Sequence, residues 1–233
     1  MNFKVFSIIA MLAAYGIPSS TSADVPSAEW KFDVLLDGKP IGFHAFELRQ
    51  EGEQKVLRTE ASFDVKFLFV TAFRYRHQNT EVWNEDCLLS IDAVTDSNGK
   101  ELLVKGEVND DTFNVRNTEG SNQLPSCVQT FAYWNPSVLG AARLLNSQTG
   151  VYEEVAVSRE GRDQVTVGGR QVEALRYRLS AQAGDILLWY SATDNTWLGL
   201  EAPAKGGRKL LYQAVAVPQP DVSQQLIARS NRY

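Results

Sequence analysis

From residue 57 to 69 the chain alternates with a strict period of two. Leu57, Thr59, Ala61, Phe63, Val65, Phe67 and Phe69 share one parity, and Arg58, Glu60, Ser62, Asp64 and Lys66 occupy the other. A helix would scatter these apolar groups around its axis, whereas a strand gathers them on one buried face. At about 3.3 Å per residue such a strand approaches ~40 Å, so it is expected to twist or bend. A long, curved antiparallel sheet follows from this one pattern.

The neighbouring segments extend it. Residues 30–36 and 41–49 read as strands joined through Asp37-Gly38, a hairpin signal because both residues tolerate positive φ. Gly42 inside the second strand predicts a bulge or a close backbone approach. In 73–83, Phe73, Tyr75, His77, Asn79, Glu81 and Trp83 share a face, with aromatic ends around a polar middle. That fits either a strand running from core to a wetter cavity, or an edge strand with an exposed middle. Strands at 87–95, 100–108 and 112–117 follow, with Asn98-Gly99 and Asn109-Asp-Asp111 between them. Residues 118–125 read as a loop by composition. Later strands fall at 150–158, 164–167, 171–179, 185–190, 197–202 and 209–217, the run at 185–190 being apolar on both faces.

Only 127–145 departs from this habit. It holds Cys127, the aromatics Phe131, Tyr133 and Trp134, and then Asn135-Pro136, which suit an N-cap and a first helical position. Val138, Leu139, Ala142 and Leu145 on one stripe predict a short helix over 136–146. The expected fold is mainly β, a single curved antiparallel sheet or partial β-barrel of about eleven strands with one short helix packed on its concave face. No linker divides the span 24–217, which is read as one domain, followed by a tail at 218–233.

Residues 1–23 read as a cleavable export signal. Lys4 precedes an apolar run to Ile17, and Thr21 and Ala23 stand at the −3 and −1 positions. No later stretch is long and apolar enough for a membrane span. Export bears on Cys87 and Cys127, the only two cysteines. In an oxidising compartment they are expected to pair; the alternative is a reactive thiol near a histidine.

The hairpin Phe32-Asp-Val-Leu-Leu-Asp-Gly-Lys-Pro-Ile-Gly-Phe-His44 is one of two familiar stretches. The other is the later Asp185-Ile-Leu-Leu-Trp-Tyr190, Trp197-Leu-Gly-Leu200, Gly207-Arg208, Tyr212 pattern. Together they resemble uncharacterised exported bacterial proteins in which a sheet curls over a helix, like the periplasmic lipoprotein carriers. The resemblance implies that fold and a periplasmic location. It carries no catalytic residue.

Composition narrows the chemistry. A net charge of −5 gives no reason to expect nucleic acid as a partner. There is no phosphate loop, His-Glu-x-x-His, Gly-x-Ser-x-Gly or Cys-x-x-Cys, and with two histidines neither metal nor cofactor is expected. Arg74, Arg76, Arg176 and Arg178 alternate with aromatics, either on solvated faces or rimming a cavity that would suit a carboxylate. The candidate ligand-lining residues are Phe67, Phe69, Tyr75, His77, Phe131, Tyr133 and Trp134, each of which would serve equally as core. Three functions remain open: a binding protein or carrier for an apolar, lipid-like ligand held between sheet and helix; an envelope assembly module without a ligand; and an enzyme on a lipid or envelope component with His77 or His44 as base. No catalytic residue is identified.

Overall fold

The computed structural model describes residues 27–67 and 70–218. The leader read in 1–23, the tail beyond Pro218 and Phe69 lie outside the described residues, and of Phe67 only the backbone is described.

The strands run β1 Ser27–Leu36, β2 Lys39–Glu51, β3 Gln54–Phe67, β4 Val70–Asn84, β5 Cys87–Ser97, β6 Lys100–Asn109, β7 Thr112–Asn117 and β8 Ser121–Pro125. After a 3-10 turn at Pro136–Gly140 come β9 Arg143–Leu145, β10 Tyr152–Glu154, β11 Ala156–Val167, β12 Arg170–Ala181, β13 Gly184–Ser191 and β14 Trp197–Ala204. A second 3-10 turn, Lys205–Gly207, leads into β15 Arg208–Ala216. Thirteen strands form one sheet in the order β11-β12-β13-β14-β15-β1-β2-β3-β4-β5-β6-β7-β8. All its neighbours are antiparallel. Every step joins consecutive strands except β15–β1, which pairs the two ends of the described chain. The free edges are β8 and β11, and residues 126–155, with the small β9–β10 ribbon, connect them.

Two adjacent side chains of that connection show how strongly the sheet curls. The Tyr133 ring lies 5.5 Å from Trp197 on β14, and the Trp134 ring 5.7 Å from Trp83 on β4. Those strands are five spacings apart in the sheet, about 24 Å if it were flat at ~4.8 Å per spacing. The sheet therefore wraps around residues 127–145 and leaves one seam, between β8 and β11, instead of closing. Inside, Trp30, Phe32, Leu57, Trp83, Leu88, Phe113, Leu188, Tyr190 and Trp197 join Val128, Val138, Leu144 and Leu145 in one continuous core.

The expectation of about eleven strands and one short helix is corrected. Among the described residues there is no α-helix, and the stripe expected over 136–146 breaks after five residues. Asn135 does cap the turn, its Oδ1 accepting from Ser137 N–H at 3.1 Å. Beyond Gly140, however, Ala141 is extended and Leu144-Leu145 join β9. A helix this short is marginal alone, and here the backbone has a better partner: Leu145 N–H donates to Gln129 O at 2.8 Å. Composition hid β8, a mostly exposed five-residue strand completed by its pairing with β7. Glu160-Gly-Arg162, which punctuates the sequence like a turn, is instead a bulge within the single strand β11.

Gly42 is a close approach as well as a bulge site. Its φ is 154°, and a Cβ there would sit 1.8 Å from Ser62 O on β3. The register on β1 slips at the same level, between Val34 and Leu35. Gly42→Ala is expected to cost about 1–3 kcal/mol, the range for forcing atoms into a packed site. A lowered urea midpoint at unchanged slope would register it; an unchanged midpoint would mean β2 and β3 separate freely here.

Candidate functional site

Under residues 130–147 the interior holds a cluster of polar side chains. β4 sends Tyr75, His77, Asn79, Glu81 and Trp83 inward, and cross-strand pairing sets Thr59 opposite Asn79 and Thr95 opposite His77. β2 contributes His44 and β15 contributes Tyr212, whose hydroxyl is hydrogen-bonded to His44 Nδ1 at 3.1 Å. The polar middle of β4 thus faces the inside of the curl. β4 is a central strand, so the exposed-edge alternative does not apply.

These groups line a partly open cavity of about 80 Å³. His44, His77, Thr59, Asn79, Glu81 and Thr130 supply its polar lining. Phe131, Tyr133 and Trp197 supply aromatic walls, and Ser147 lies at its margin. A larger groove of about 710 Å³ crosses β4 to β8 elsewhere. There Lys105 and Asp92 are exposed and paired with each other at 2.9 Å, so it offers solvated rather than buried chemistry.

Glu81 is the focus of the cavity. It is 2% exposed. Asn79 Nδ2 donates to its Oε1 at 2.9 Å and Trp83 Nε1 to its Oε2 at 3.0 Å, both from its own strand. Burial pushes its carboxyl above the usual range, against the pull of those neutral donors. The Thr130 hydroxyl leans on the same carboxyl but makes no well-aligned hydrogen bond, and we count it as unpartnered. Thr59 Oγ1, Asn79 Oδ1 and His44 Nε2 are likewise buried without partners. Buried polar atoms are seldom left so, and four around one hollow mark a place built to hold something.

Both imidazoles are neutral at ordinary pH. Burial, with His77 nearby, lowers His44 to about 3, and burial lowers His77 to about 4. Their rings lie 6.4 Å apart. His44 stacks on Phe46 at 4.1 Å, and His77 is hydrogen-bonded through Nδ1 to Thr95 Oγ1 at 2.8 Å. The Glu81 oxygens are engaged by Asn79 and Trp83, and no carboxylate hydrogen-bonds either histidine. A general base wants a pKa near working pH and a group to orient it, so this cluster suits holding better than proton transfer. Among the described residues no group of three His, Cys, Asp or Glu side chains could hold a metal ion.

Of the residues expected to line a site, His77, Phe131 and Tyr133 do so. Tyr75 stands just behind, stacked on His77 at 6.2 Å, with its hydroxyl donating to Gln148 Oε1 at 3.1 Å. Trp134 is turned away, edge-on to Trp83 with Lys55 Nζ 5.7 Å over its ring. The side chains of Phe67 and Phe69 lie outside the description. Sequence reasoning missed Thr59, Asn79, Glu81, Thr130 and Tyr212 as lining. The signal for Asn79 and Glu81 was their parity with His77; Thr130 and Tyr212 arrive from distant segments and gave none. The arginines hold acids on solvated faces, Arg76 with Asp64 and Arg176 with Asp163, each at 2.9 Å. Cys87 and Cys127 form the expected disulfide.

The profile of a family described as a domain of unknown function, DUF6134, matches residues 32–215. No curated protein sequence matches. Among solved structures the chain is similar to a beta-barrel-like protein of the domain of unknown function DUF1849 from Brucella abortus. The TM-score is 0.61 at 11% identity, with 84% of this chain and 98% of that chain covered. At that identity the likeness concerns the fold alone. These matches support an uncharacterised β-rich family and do not extend to the lipoprotein carriers.

Proposed function

This chain belongs to the DUF6134 family, and we propose that it is an exported envelope protein that binds a small polar molecule inside its curled sheet. The observation that carries this is the 80 Å³ hollow lined in part by unpartnered polar atoms. The disulfide supports an oxidising compartment, in keeping with the export signal read in 1–23. A lipid-like ligand, expected from the aromatic content, suits this interior poorly. A hollow of about 80 Å³ is well below the roughly 300–1,000 Å³ of pockets that bury drug-sized ligands, so it suits a much smaller occupant than an acyl chain. Its lining mixes polar and aromatic groups, and a wholly apolar occupant would leave the polar ones unsatisfied at about 1–3 kcal/mol each.

Thermal-shift titration of purified protein with small polar solutes and with fatty acids tests the reading. Solutes of a few non-hydrogen atoms are expected to raise the melting temperature. Thr59→Val, which deletes one unpartnered hydroxyl at nearly constant shape, is expected to weaken them five- to tenfold, about 1–1.4 kcal/mol. Stabilisation by fatty acids alone would restore the apolar carrier instead.

A further inference from the structure

We propose that the occupant of this cavity is a small monocation, ammonium or a short primary amine, with Glu81 as its counter-charge; the inference rests on the binding reading above and specifies the chemical class. The free valences point this way. Asn79 has committed its Nδ2 hydrogen to Glu81, so its orphan Oδ1 can only accept. Thr59 Oγ1 and Thr130 Oγ1 add two more oxygens able to accept. Asn79 Oδ1 therefore needs a donor, the two hydroxyls can accept as readily as donate, and His44 Nε2 accepts in the tautomer whose Nδ1–H donates to Tyr212; an ammonium head brings hydrogens enough for all four.

Charge points the same way. Among the described residues Glu81 is the only acid lining the cavity, and neither Lys nor Arg lines it. An anion would meet a carboxyl group and an amide oxygen; a cation meets both favourably. The rings of Phe131, Tyr133 and Trp197 add π faces of the kind that attract desolvated cations. The titratable groups facing Glu81 across the hollow are His44 from β2, His77 from its own strand, Tyr212 from β15 and Tyr133 from the connecting segment. The histidines are held neutral by burial, and burial pushes both phenols up, so none adds a competing charge.

The exchange balances. Burial favours the protonated carboxyl in the empty site; when the cation enters, that proton leaves to solvent and the carboxylate pairs with the ligand. The cavity's net charge stays the same, which avoids the penalty of burying an unpaired ion.

Calorimetric titration with ammonium and methylammonium chloride at pH 7, in buffers of different ionisation enthalpy and against sodium chloride, tests this. Saturable binding with release of protons, at most one per cation, is expected, and Glu81→Gln should weaken it more than tenfold. Because the new amide opposes one of the two existing donors, proton release by the unmutated protein is the decisive measurement should that variant fail to fold. If formamide and methanol bind as well as the cations, without proton release, the cation assignment is wrong and the polar-cavity reading stands. If neither class binds, both are overturned.

Discussion

Acidifying the protein from pH 6.5 to 4.5 is expected to destabilise the fold, by at most about 5 kcal/mol, through two buried histidines opposed by one buried carboxyl. Above 6.5 His44 and His77 are neutral whether the chain is folded or not. Below 6.5 the unfolded imidazoles take up protons, while the folded ones, at about 3 and 4, refuse them. The unfolded state then binds two more protons, and stability falls by about 1.4 kcal/mol per pH unit for each. Glu81 acts in the opposite direction. Its folded carboxyl is raised from 4.5, so wherever the folded group keeps its proton and the unfolded one has lost it, lowering the pH favours the fold. Glu81 thereby offsets part of the loss, which without it would reach about 2.7 kcal/mol per pH unit.

Below 4.5, where the unfolded carboxyl also takes up its proton, the offset ends and the histidines alone set the slope until His77 itself begins to charge near 4. Asp64 and Asp185, held low first by Arg76 and by Ser180 respectively, act only at still lower pH, where their unfolded forms protonate near 3.8. Urea denaturation at a series of pH values measures all of this. Glu81→Gln should steepen the slope between 6.5 and 4.5, and replacing both histidines by Gln should reverse its sign. A flat profile in the unmutated protein would mean the histidines are solvated.

The contrast between β4 and the segment at 127–145 shows how far such a site can be read from sequence. The inward face of β4 was legible because strand parity is a local property: once Tyr75 and Trp83 are on the inside, His77, Asn79 and Glu81 go with them. Hairpin turns were legible for the same reason, Asp37 and Asn98 taking positive φ ahead of Gly38 and Gly99. Residues 127–145 defeated local reasoning because long-range partners decide their structure. Leu88 N–H donates to Val128 O, Gln129 O receives Leu145 N–H, and the Tyr190 hydroxyl donates to Tyr133 O. No periodicity encodes such bonds. The pairing of β15 with β1, which brings Tyr212 within reach of His44, is equally non-local. Whether the aromatics were core or lining also depended on them: Trp134 went to the core and Tyr133 to both.

Removing the Cys87–Cys127 bond, by reduction or as the double Ser variant, is expected to lower stability by about 4 kcal/mol while the protein still unfolds in one step. The magnitude follows from a sequence separation of 40 residues and the chain entropy that a loop of this size regains when opened. The single step follows from what the tethered segment buries. Val128, Ala132, Tyr133, Trp134, Val138, Leu144 and Leu145 all lie in the core, and at about 1.5–3 kcal/mol for each large side chain lifting them out costs on the order of 10 kcal/mol. That is comparable with the whole stability of an ordinary domain, about 5–15 kcal/mol. Cutting the tether therefore weakens the fold without releasing the segment, which acts as core and not as a gate. Tryptophan fluorescence and far-UV circular dichroism should give coincident urea transitions with and without reductant. Early hydrogen exchange confined to 127–150 under reducing conditions would show the opposite, a detachable cover. With the segment held in place, ligand association at the cavity should be insensitive to reductant.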